Sequence, residues 1–88
     1  MPKQLTLTER QSFKEEYTEK YLSHNPLTMI GMLQSMIDRK IFTCPSLQGE
    51  PFTEEDFIRI RGSLQERLKF TPAQYYMMED FFKHVMKG

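Results

Sequence analysis

The sequence predicts an all-α fold: a compact four-helix domain spanning residues 1–88, with one longer loop between helices 2 and 3. Three observations carry that expectation. Four places pair a capping residue with a helix-compatible successor: Thr8 with Gln11, Asn25 with Pro26, Thr53 with Asp56, and Thr71 with Pro72. At each, a side-chain oxygen can accept from first-turn N–H groups that have no partner inside the helix. A proline at the first helical position loses nothing by lacking its own N–H. After each signal, apolar residues recur at steps of three and four, the period of a helix with a buried face. Breaker pairs gather in a single stretch, Phe42 to Phe52, and leave the other junctions short.

Residues 1–7 read as an extended lead-in, with Leu5 or Leu7 placed to staple onto helix 1. Helix 1 is expected from Glu9 to Ser23. Its apolar stripe is narrow, with Phe13, Tyr17 and Tyr21 four residues apart, so it should lie on a core and not build one. Glu16 and Lys20 have the acid-before-base spacing that supports a helix. Helix 2 is expected from Pro26 to about Ile41 and differs in kind. Its apolar residues, from Leu27 through Met29, Met32 and Met36 to Ile41, cover about 220° of the circumference at about 100° per residue. A helix lying on one surface needs little more than a stripe of about 100°, so helix 2 should touch partners on two sides. Thr28, Gly31 and Ser35 form a small-residue face where another backbone could come close.

The long connection carries Cys44-Pro45, Gln48-Gly49 and Glu50-Pro51. Lys40 to Cys44 and Glu50 to Thr53 could pair there as a short β-ribbon, with Pro51 confined to a non-donating edge. Phe42 and Phe52 bracket the loop and could both point inward. Helix 3 is expected from Glu54 to about Lys69, with the stripe Phe57, Ile60, Leu64 and Leu68, and with Ile58 off it. Glu54, Glu55 and Asp56 open it while Arg67 and Lys69 close it, which suits the helix dipole at both ends. Helix 4 is expected from Pro72 to about Met86. Its apolar face holds Tyr75, Met78, Phe81, Phe82, Val85 and Met86, with Met77 at the margin and Tyr76 on the far side. The joint at Phe70-Thr71 is short enough to make helices 3 and 4 neighbours.

Composition bounds the function. A chain of 88 residues buries only about 60–65% of the surface its unfolded form exposes, so it gains from association. Twelve basic and twelve acidic residues cancel, which weighs against binding to nucleic acid or anionic lipid by bulk charge. No run of about 18 apolar residues is present to span a membrane, and no leader precedes the first helix. Cys44 is the single cysteine, which excludes an intramolecular disulfide and fits a reducing compartment. The expectation is a cytoplasmic protein.

Chemistry finds little purchase. Cys44, His24 and His84 lie in three separate segments without paired ligand spacing, so no metal is expected. The loop supplies one carboxylate, Glu50, where calcium needs several oxygen ligands. Cys44 is followed by proline and has no evident activating base. His84 near Asp80 reads as a surface pair, and His24 reads as a cap at the end of helix 1. The glycines are isolated, so no phosphate cradle forms. Neither catalysis nor a cofactor is expected.

Two binding readings remain. The first is a small stand-alone protein–protein interaction module, an adaptor, inhibitor or regulatory subunit that self-associates as a homo-oligomer. Methionine's adaptability suits a surface that must repack against a partner, and Met29, Met32 and Met36 follow one edge of helix 2. Ile58, Tyr76 and Met77 lie off the main stripes and join that candidate interface. The alternative is a helix-turn-helix-like DNA-binding regulator. It would use the bases Arg59, Arg61, Arg67 and Lys69 of helix 3, with helix 4 as the reader. Helix 4 opens with Gln74 and then carries Glu79 and Asp80, a poor set for reading bases and phosphates.

Overall fold

The computed structural model describes residues 6–42, 49, 50 and 52–87. It is all-α, with α1 over Leu7–Leu22, α2 over Pro26–Asp38, α3 over Glu54–Arg67 and α4 over Pro72–Lys87. The radius of gyration is 11.9 Å, close to the value of about 12 Å expected for a compact chain of this length.

Local chemistry explains the helix starts. Thr53 Oγ1 accepts from the Asp56 N–H while the Asp56 carboxylate accepts from the Thr53 N–H, a reciprocal box that satisfies two orphan donors. Thr71 and Gln74 exchange the same pair of bonds ahead of α4. Asn25 Oδ1 accepts from Leu27 and Thr28 ahead of α2. Helix α1 starts earlier than Thr8 suggests: the box is Thr6 with Glu9. The same three-residue spacing is met by Thr6 with an acid, whose full charge also favours the helix N-terminus.

The helix ends differ from the expected ones for a physical reason. Helix α2 stops at Asp38 because Lys40 adopts a left-handed backbone, φ 60°. The Ile41 N–H then reaches the Met36 carbonyl at 2.8 Å and the Lys40 N–H reaches Ile37 at 3.1 Å. This is a Schellman turn, which returns Ile41 to the apolar face after the helix has ended and thereby prolongs the apolar period. Leu68 ends α3 with the simpler left-handed cap, φ 56°, its N–H reaching the Leu64 carbonyl at 2.7 Å.

The helices run antiparallel to their packing neighbours. Ser35 and Arg39 of the α2 end meet Tyr17 and Glu16 of α1. Along the other side of α2, Gln34 accepts from Arg61, and Lys40 pairs with Glu54 at 3.4 Å. Helix α2 therefore does touch partners on two sides, α1 and α3, which accounts for its wide apolar arc. Helix α4 lies along α1, where the Tyr21 and Phe82 rings stack at 4.3 Å and Phe13 meets Phe81 and Phe82. The expected α3–α4 hairpin is looser than the other contacts. Backbone proximity favours α2 with α3 and α1 with α4, and α3 reaches α4 through the edge-on rings of Phe57 and Phe81.

Three further expectations change. Helix α1 is a core element, since Phe13, Tyr17 and Tyr21 are all buried. Three large rings fill volume that a count of apolar positions underrates. Gly31 is exposed, and a Cβ there would meet nothing within 4 Å, so among the described residues no other backbone closes on Gly31. Instead Ser35 on that face bonds the Tyr17 hydroxyl at 2.7 Å. Glu16 turns from Lys20 to Arg39, whose guanidinium also donates to the Tyr17 hydroxyl at 2.9 Å. Phe52 is buried against Phe81 and Phe57, and half-buried Phe42 packs on Phe57, so both loop rings point inward. Of the expected β-ribbon, Thr43, Cys44, Pro51 and most of the turn lie outside the described residues, while its described positions, 40–42, 50, 52 and 53, form no strand.

Candidate functional site

The expected methionine face of α2 is interior. Met29, Met32 and Met36 are 5%, 0% and 0% exposed, enclosed by the helices on both sides of α2. They contribute packing to the folded chain, and of the three only Met29 lines a concavity among the described residues. Met77 is half-buried against the same core. Ile58 is exposed in the second turn of α3, and Tyr76 is 68% exposed near the start of α4. Of the six expected interface residues, Tyr76 is the exposed one that borders a concavity.

That concavity is a groove of about 500 Å³ at one end of the bundle, within the ~300–1,000 Å³ range of ligand-binding clefts. It forms because two junctions meet there, the α1–α2 turn at Ser23–Asn25 and the α3–α4 turn at Leu68–Thr71. Antiparallel packing brings both to the same end. Tyr21, Met29 and Leu64 line it with Leu68, Phe70 and Tyr75. Tyr76 borders it too, Lys69 supplies a cation and His24 an imidazole.

Backbone strain is concentrated at this rim. His24 and Leu68, at φ 55° and 56°, are both groove residues. Histidine tolerates the left-handed region moderately well, but a leucine there is an outlier that costs on the order of 1–2 kcal/mol relative to glycine. Leu68 is also 56% exposed, so burial does not offset the strain. Around it, Leu22, Leu27, Tyr75 and Tyr76 are exposed at the same end of the bundle. Five of the eight exposed large apolar side chains among the described residues thus gather at one pole.

The groove also holds an unusual hydroxyl. Tyr21 is 8% exposed and its Oη is buried without a satisfying hydrogen bond among the described residues. Burial raises its pKa well above the ordinary phenol value, with the neighbouring Tyr75 hydroxyl and the Glu79 carboxylate adding to the rise. Tyr21 therefore stays protonated at any physiological pH and keeps an O–H to donate.

The four bases of the helix-turn-helix alternative do not share a face. At 3.6 residues per turn, Arg59 and Arg61 point about 160° apart. Arg61 faces α2 and donates to Gln34. Lys69 lies beyond the end of α3, beside the groove. No cluster of three or more metal-ligating side chains occurs among the described residues, and no described helix is long and apolar enough to cross a membrane. Sequence reasoning missed Leu68, Phe70 and Tyr75 as partners of Tyr76. The available signal was the missing glycine at the end of α3, where Leu-Lys-Phe stands instead.

The chain matches no protein family, no curated protein and no solved structure.

Proposed function

We propose that the protein is a small interaction module that docks a protein partner in the groove between the α1–α2 and α3–α4 junctions. One observation carries this reading: Leu68 holds a strained left-handed backbone while exposing its side chain beside Tyr75 and Tyr76. A residue that is unfavourable in both conformation and exposure points to a duty outside folding. Aromatic side chains rimming an apolar pocket are also the usual composition of an interface centre. The partner's apolar side chain would enter against Met29 and Leu64, and Tyr76 would close over it. The methionines act in this reading as the adaptable floor of the groove and its supporting core.

The test is site-specific photo-crosslinking in the source cells, with a photoreactive aromatic residue replacing Tyr76 and, as a control, Glu55 at the opposite pole. Discrete products from position 76 that disappear when Leu68→Gly is added, with none from position 55, are expected. Equal labelling from both positions, or products that survive Leu68→Gly, would remove the groove as the docking site.

A further inference from the structure

Zero net charge conceals a strongly polar distribution. Residues 20–28 and 67–78 close the groove end of the bundle, and they hold Lys20, His24, Arg67 and Lys69 with no Asp or Glu. All twelve carboxylates lie elsewhere in the chain. The nearest in sequence, Glu19, Glu66 and Glu79, are outside the groove lining; Glu79 is held by Lys83 at 3.3 Å, and its carboxylate also acts on Tyr21. Neither Lys69 nor His24 has an ion-pair partner among the described residues. The lining itself is apolar and aromatic apart from Lys69, His24 and the phenol hydroxyls, of which the buried Tyr21 Oη lies beside the Tyr75 hydroxyl.

From this we infer that the groove takes an acidic amphipathic segment of another protein, a leucine or aromatic anchor flanked by Asp or Glu. This rests on the docking reading above and names its partner class. The anchor displaces water from the apolar floor, and a backbone carbonyl of the segment accepts from Tyr21 Oη. The flanking carboxylates meet the charges of Lys69 and Arg67, with His24 as a hydrogen-bonding neighbour, which raises the association rate and selects against basic partners. The same charges disfavour a second copy. A twofold dimer through this groove would bring Lys69 of one copy toward the like-charged pole of the other. Two cations, Lys69 and Arg67, and an apolar floor also fit a nucleic-acid backbone poorly, since affinity there scales with the number of phosphates neutralised.

The experiment titrates the full isotope-labelled chain with three probes, following amide shifts of Leu68, Tyr75 and Tyr76. The probes are a 12-residue peptide with Leu and Phe one helical turn apart among Glu and Asp, its Gln/Asn analogue, and a 15-nucleotide oligo-dT. Saturable shifts confined to the groove are expected for the acidic peptide. It should bind about tenfold or more tightly than the amide analogue at low salt, with the advantage shrinking at high salt and lost in Lys69→Glu. Equal binding of both peptides would overturn the acidic class and leave groove docking standing. Tighter binding of the oligonucleotide would overturn the inference in favour of nucleic acid. A mass that rises with concentration for the protein alone, abolished by Tyr76→Glu, would place a second copy in the groove instead. No groove shift with any probe at millimolar concentration would overturn the inference, and the crosslinking result would then decide whether docking falls with it.

Discussion

His24, Lys40 and Leu68 hold left-handed backbone at the ends of α1, α2 and α3, with φ between 55° and 60°, where glycine is the usual choice. At Lys40 and Leu68 the non-glycine side chain costs about 1 kcal/mol or more, of which glycine's greater freedom in the unfolded chain gives back about half. Lys40→Gly is therefore expected to raise stability by about 0.5–1 kcal/mol, read as a higher urea midpoint at unchanged slope. Its exposed pair with Glu54 is worth too little to reverse the sign. A lower midpoint would show that the Lys40 side chain is needed at that corner. Leu68→Gly should gain as much stability while losing docking, which separates folding from function at one position. Charge at the residue scale is read through Glu16, whose carboxyl is held below its usual range by the bond from Arg39. A depressed carboxyl adds stability that is present above its unfolded pKa and is lost as pH falls through the folded one. Arg39 shifts upward in return, so its share is lost only in strong alkali. Glu16→Gln should thus lower the urea midpoint at pH 7 and make almost no difference near pH 2.5, with added salt shrinking the effect because both groups remain in contact with solvent. A midpoint difference that persists undiminished at pH 2.5 would assign the effect to packing.

Helices α2 and α3 each carry an exposed interior glycine, Gly31 and Gly62, and a Cβ at either would meet nothing within 4 Å. Alanine should stabilise each by about 0.5–1 kcal/mol, and the two gains should add because the sites share no neighbour. For a chain of this length each gain corresponds to roughly 2–8 °C in thermal midpoint. A loss at either site would mean that another chain uses that bare backbone. Much at this scale was legible in the sequence because it is local. Asn25, Thr53 and Thr71 cap the helices they precede, and Pro26 and Pro72 occupy first positions. The start of α1 was misplaced from Thr6 to Thr8 because two threonines compete and only geometry shows which one Glu9 serves. The helix ends were less legible, since Lys40 and Leu68 carry no glycine signal and Ile41 keeps the apolar period after α2 has stopped. The methionine edge was ambiguous for a different reason: a wide apolar arc is satisfied equally by two flanking helices or by another molecule, and α1 and α3 supply the former. The groove was hidden because its lining comes from two junctions more than forty residues apart, joined by antiparallel packing that no local pattern encodes. Only Tyr76, off the stripe of α4, pointed toward it.

Across the whole molecule, the side chains that hold the fold and those proposed to meet a partner are different residues. The interior is an aromatic cluster centred on Phe81, which is fully buried and meets Phe13, Phe52, Phe57 and Phe82 at centroid distances of 5.1–6.1 Å, four of them edge-on or nearly so. Those partners come from α1, from the end of the long connection, from α3 and from α4 itself, so Phe81 links elements that share little backbone contact. Aromatic pairs of this geometry add about 0.5–1.5 kcal/mol each beyond the burial of area, and truncating a buried phenylalanine costs about 3–5 kcal/mol. A domain of this size has only about 4–13 kcal/mol to lose. Phe81→Ala should therefore melt well below the parent protein or fail to fold, seen as loss of near-ultraviolet ellipticity, with Phe81→Leu intermediate. Tyr76→Ala, at a side chain largely in water, should change stability by less than about 0.5 kcal/mol. If the two alanine variants proved similarly stable, the aromatic cluster would not be what unites α3 with α4, and the apolar pole around Leu68 would have to be counted as part of the core. The expected gap of several kcal/mol between them instead places folding on Phe81 and leaves Tyr76 free to serve recognition.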